Sequence, residues 1–291
     1  MVATYAVLRT PLAKACALTN SVRSTAARHL SHCQGYRAQE HGHCSGDAKS
    51  AESHSQEHYV TGGYFLARPI PRPSYLPVDL LPEKIFSASH CIGRLIPDNW
   101  RALNWEGLDE KQRREYAPRL GVEEAQIPEL VRWVNERWRA EQLGWGDVFY
   151  SADVARSFVG HFRLSIQDLV LFSIALHRDY ANLFIAETRS PEKIIPSGIW
   201  LMVQKAIPIE AGGEALGYDV LGYELAWSHS WLCYGFAKEA NERLGIRPNS
   251  HGFIQTPEDA KKVADLANSS DAPSEDKPYL PWLVTLHSIR R

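Results

Sequence analysis

A mixed α+β fold is what the sequence predicts, with a helix-rich first half of the core followed by a small sheet and its flanking helices. Three observations point there. Apolar residues recur at helical spacing through much of 109–187, apolar runs separated by glycine turns take over from residue 194, and no internal repeat imposes a solenoid or barrel. With 44% apolar and 23% charged residues in 291, the chain has the material for a self-sufficient core.

Residues 1–63 read as a leader, disordered or non-native, and 64–291 as one α+β domain, helical over 84–190 and sheet plus helices over 194–291. From Met1 to Gln39 stand Arg9, Lys14, Arg23, Arg28 and Arg37 without one acidic residue, the composition of an organelle transit peptide or of translated upstream sequence without function. His29, His32 and Cys33, then His41, His43 and Cys44, offer imidazole and thiolate without the spacing of a zinc finger. His54-Ser55-Gln56-Glu57-His58 matches the inverted zinc-peptidase motif but lacks the apolar period that would hold its helix on a core, so it reads as a chance match.

In the domain, the prolines at 69, 71, 73, 77 and 82 predict an extended lead-in over 64–82 that forms no inner strand. The mixed pattern of Lys84 to Ile96 fits helix and strand alike. Helices are predicted over 109–116, 128–142 (Pro128 in the first turn, one face built from Ile127, Leu130, Val131, Val134 and Trp138) and 153–162 behind Ser151. A capping box at Ser165 to Asp168 opens a long central helix to Glu187. Paired strands are expected over 199–209 and 218–225. A helix over 231–244 stops at Gly245, a short strand covers 252–254, Thr256-Pro257-Glu258-Asp259 starts a helix to Asn268, and a strand closes the chain over 279–289.

Charge narrows function. Against 34 acidic side chains stand 32 basic ones, and a net charge of −2 gives no general attraction to nucleic acid or anionic lipid. The most apolar run, Leu169 to Leu176, is far shorter than the roughly 20 residues that cross a bilayer. A soluble cytoplasmic protein is expected, or an organelle-imported one if the leader is a transit peptide. Cys16, Cys33, Cys44, Cys91 and Cys233 form an odd set without a disulfide framework, which fits a reducing compartment.

Nucleophile-elbow, phosphate-loop and dinucleotide signatures are missing, and His177-Arg178-Asp179 lacks the rest of a kinase catalytic loop. The distinctive stretch is Leu216 to Asn249. Were a helix to start near Ser228 or Ser230, His229 and Cys233 would share a face, giving a thiol nucleophile with Asp219 or Glu224 to orient the base. The competing reading makes Cys233 a small core hydrophobe. Tyr218, Asp219, Tyr223, Glu224, Trp227 and Trp231 can instead form an aromatic and acidic docking patch.

The runs Leu-Gly-Tyr-Asp-Val, Ser-His-Ser-Trp-Leu-Cys, Leu-Gly-Ile and Asn-Ser-His-Gly-Phe-Ile within 217–254 resemble uncharacterised bacterial immunity-type proteins of polymorphic toxin systems. The resemblance covers under a sixth of the chain, and the sequence departs from the strongly acidic balance of many nuclease-directed members. It implies a non-enzymatic inhibitor that plugs a cognate toxin. The leading expectation is therefore a protein-binding protein with no cofactor and no metal, its partner another protein. The alternative is a thiol-dependent hydrolase or transferase using Cys233, His229 and Asp219.

Overall fold

The computed structural model describes residues 58–187, 198–224, 227–269 and 278–290, all within a unit spanning Ser53–Arg291. The leader readings at 1–57 lie outside the described residues. The folded part opens on strand β1 (Tyr59–Arg68), not on helices, and this strand runs across the boundary expected at 63/64. Its alternating residues are buried on both sides, and a Cβ at Gly62 would meet the Trp282 ring at 2.7 Å. The prolines begin only at Pro69, so the extended lead-in expected over 64–82 is an inner strand as far as Arg68, followed by β2 (Ile70–Pro71).

The ambiguous stretch after it is β3 (Lys84–Ile85), a loop, and β4 (Arg94–Ile96), which pairs with β1. Three helices follow. These are α1 (Asn99–Leu103), α2 (Glu110–Tyr116) behind an Asp109/Gln112 capping box, and α3 (Ile127–Arg139), which has Pro128 in its first turn and buries Ile127, Leu130, Trp133 and Val134. The helix stops at Arg139, and Gly144 belongs to β5 (Leu143–Gly144), which pairs with β6 (Val148–Phe149). Helix α4 (Ala152–His161) starts behind Ser151, whose hydroxyl accepts the Val154 N–H.

The long helix expected over 165–187 is instead β7 (Val170–His177) followed by α5 (Arg178–Glu187). Phe172, Ile174 and Leu176 enter one face of the sheet while Leu171 and Ala175 enter the other. A strand buried on both faces shows no alternation, so an eight-residue apolar run looks the same as part of a buried helix. The converse error falls at 199–209, where the expected strand is α6 (Gly198–Lys205), burying Ile199, Met202 and Val203.

The remainder follows expectation more closely. Strand β8 (Glu214–Glu224) pairs with β9 (Trp227–Ser230), and the expected helix at 231 begins as a 3-10 turn over Trp231–Tyr234 before α7 (Phe236–Leu244). Left-handed Gly245 ends that helix. Ile254 makes an isolated bridge to Tyr218, α8 (Pro257–Ala267) is capped by Thr256, and β10 (Tyr279–His287) lies between β7 and β8. The antiparallel sheet runs β5-β6-β1-β7-β10-β8-β9 with β4 beside β1. Helices α5 and α6 cover one face. The other carries α3 and α4 toward one end and α7 and α8 toward the other. The class is α+β, and no described helix is long and apolar enough to cross a membrane.

Candidate thiol and imidazole site

Strand β9 sits at the edge of the sheet and carries the alternation Ser228, His229, Ser230. Both serines are wholly buried, while His229, opposite Gly222, is half-buried on the other side. Ser230 then caps the 3-10 turn by accepting the Leu232 N–H, which delivers Cys233 at the turn's end. His229 and Cys233 thus converge through a strand and a turn, without the helix on which the sequence reading depended.

Against this edge lies the loop Ser87-Ala88-Ser89-His90-Cys91-Ile92-Gly93. Ser87 Oγ donates to Asp219 Oδ2 at 2.6 Å, Ser230 Oγ donates to Asp219 Oδ1 at 2.7 Å, and Ser228 Oγ donates to the Ala88 carbonyl at 2.5 Å. Internally, the Ser89 N–H reaches Ser87 Oγ, the Cys91 N–H reaches Ser89 Oγ, and the Gly93 N–H reaches the Ser89 carbonyl. Gly93 is required there, because a Cβ would run into the carbonyl oxygens of Ser87 and Ser89. On the far side His90 Nε2 lies 3.5 Å from Asp147 Oδ2.

The result is a cluster assembled from two distant stretches. Cys91 Sγ is 3.4 Å from His229 Nδ1, Cys233 Sγ is 3.2 Å from Ser89 Oγ, and one ligand atom from each of Cys91, His229 and Cys233 lies within 4.8 Å of the others. Cys91 is exposed and Cys233 half-buried, both as free thiols. Their acidities diverge. The hydrogen bond from Cys233, then that from His229, hold the Cys91 thiol well below the usual thiol range. The same hydrogen bond and burial push the Cys233 thiol up. Asp219, fully buried, is pushed up to about 6 by desolvation, against which Ser87, Ser230 and the Val220 N–H work as hydrogen-bond donors.

The expected site residues divide sharply. His229 and Cys233 place ligand atoms within 4.8 Å of each other, and the exposed thiol beside them is Cys91, which the sequence does not single out. Asp219 does not orient the imidazole; it ties the Cys91 loop to β9. The proposed docking patch loses most of its members to the interior. Tyr218 is 2% exposed with its hydroxyl 2.8 Å from that of Tyr59, Asp219 is 1%, Tyr223 is 5% against Phe184, and Trp231 is 0%. The side chains of Glu224 and Trp227 lie outside the described residues. One sequence signal for the missed thiol existed. The segment 87–91 places Ser, His and Cys close together much as 228–233 does. Comparison of the chain with family models, curated proteins and solved structures returned no match.

Proposed function

We propose that the protein is a thiol-dependent exchange protein in which Cys91 attacks and Cys233 resolves. One observation carries this reading: an exposed thiol in contact with an imidazole has a second, more buried thiol beside it. Exposure gives Cys91 access to a substrate and the imidazole favours its thiolate, the attacking form. Shielding of Cys233 reserves it for the intramolecular step. This reading departs from the leading expectation of a protein-binding protein and shares with the alternative, a thiol-dependent hydrolase or transferase, only the use of a thiol, with the nucleophile moved from Cys233 to Cys91.

The electrons balance without an external reductant. The Cys91 thiolate attacks one sulfur of a disulfide substrate, a new S–S bond forms, and the departing thiolate takes a proton from the His229 imidazolium. Cys233 then attacks the Cys91 sulfur, its proton passing to the second departing thiol. The protein ends with a Cys91–Cys233 disulfide and the substrate as two thiols.

The test is oxidised glutathione added to the reduced full-length chain, followed by peptide mapping, which separates these positions from Cys16, Cys33 and Cys44. Wild type should yield a peptide linked through Cys91 and Cys233. Cys233→Ser should arrest the first step as a glutathione adduct on Cys91, and Cys91→Ser should leave Cys233 unmodified. A wild-type chain with no such linkage, or adducts on Cys233 in preference to Cys91, overturns the assignment.

A further inference from the structure

We infer that Cys91, His229 and Cys233 form a binding site for a thiophilic divalent cation of the zinc class, with two thiolates and one imidazole as ligands. The ligand geometry stands independently of the exchange chemistry. In a tetrahedral site with Zn–S near 2.3 Å and Zn–N near 2.0–2.1 Å, sulfur and nitrogen ligands stand roughly 3.5 Å apart and two sulfurs roughly 3.8 Å apart. Cys91 Sγ and His229 Nδ1 are 3.4 Å apart, and every pair among the three ligand atoms falls within 4.8 Å. The one spacing resolved to a single value matches a tetrahedral edge, and the 4.8 Å limit on the others is about 1 Å beyond one.

The donor set selects the ion. Two sulfurs and an imidazole suit zinc and its soft neighbours, whereas calcium and magnesium require oxygen. The surroundings add the outer support that metal thiolates use: Ser89 Oγ lies on the Cys233 sulfur, and Asp219 fixes both ligand-bearing segments through buried serines. Cys91 is exposed, so solvent reaches the ligand set from its side, as in an open rather than a closed zinc site. Both sulfurs are used as ligands, so a bound cation holds Cys91 and Cys233 out of disulfide exchange. The site is then either metal-loaded or exchange-competent.

Cobalt(II) is the probe, because thiolate ligation gives it a near-ultraviolet charge-transfer absorption. The thiols at 16, 33 and 44 are removed from the whole chain as Cys16→Ser, Cys33→Ser and Cys44→Ser, leaving Cys91 and Cys233. Addition of cobalt(II) to this reduced chain should raise the absorption to saturation at one equivalent, and zinc should abolish it by displacement. Adding Cys91→Ser, at an exposed position that tolerates the change, should remove most of the absorption. His229→Ala should weaken binding by more than the roughly 10–100-fold that losing an outer-shell partner costs. An unchanged circular dichroism spectrum certifies the fold of each variant. Absence of the absorption in the triple Cys→Ser variant, or its persistence after Cys91→Ser, overturns the metal site. The peptide-mapping experiment reports separately on exchange, so either reading can fail while the other stands.

Discussion

Asp219 shows how one side chain can matter to a site it does not enter. It is fully buried, accepts from Ser87 and Ser230, and is pushed up to about 6 by desolvation. A carboxyl raised in the folded state adds stability that is complete below its ordinary value and is lost as pH rises through the folded value. Against an unfolded value near 4, the loss should be on the order of 3 kcal/mol between about pH 4 and about pH 7. Asp219→Asn keeps the shape and lacks the titration, and the serine hydroxyls can rotate to match the amide. Urea unfolding of both chains at those two pH values should therefore show wild type losing ground to the variant as pH rises. A difference that does not change with pH would contradict the buried, titrating carboxyl. From sequence alone His229, Cys233 and Asp219 stood out as chemically able groups. Which of them touch was illegible, because the third ligand atom lies 138 residues from His229 along the chain.

The loop 87–93 is short, and beside its internal hydrogen bonds it is tied to β8 through Ser87 and to β9 through Ala88, so part of its geometry is set by contacts that local propensity does not encode. This is why the stretch was ambiguous in sequence while the capped helices were plain: Asp109, Ser151 and Thr256 each satisfy N–H groups within three residues of themselves. The misread elements, β7 and α6, share a different cause. Each is apolar beyond the reach of periodicity, and what decides between strand and helix is whether an antiparallel neighbour is present, as β1 and β10 are for β7. The loop's tight return supplies a direct test. Gly93→Ala sets a methyl against two carbonyl oxygens that cannot rotate away, so the loop must shift. Overpacking of this kind costs about 1–3 kcal/mol. Urea unfolding should register that cost, and at a fixed glutathione ratio the variant should form less of the Cys91–Cys233 linkage. Wild-type yields of that linkage would show that the loop does not depend on the close approach.

Strand β1 joins the two halves of the molecule, which makes the start of the fold a matter of energetics. It pairs with β4 and β6 on one side and β7 on the other, linking the sheet that bears the site to the part covered by α3 and α4. The composition change near residue 63 is real in the sequence, yet the first five residues of the strand precede residue 64. Tyr59 and Val60 are 6% and 1% exposed, facing His177 and Leu176 across the ladder, and the Tyr59 hydroxyl meets that of Tyr218. Removing two buried side chains of this kind costs roughly 4–8 kcal/mol, comparable to the about 5–15 kcal/mol that typically holds a domain folded. A chain beginning at Tyr64 should therefore unfold or melt without cooperativity. One beginning at Ser53 should retain the cooperative thermal transition of the full-length protein, read by near-ultraviolet circular dichroism from its many buried aromatic rings. Equal transitions for the two shortened chains would mean that β1 contributes no more than its last half, and that the sheet closes around β7 without the Tyr59 end.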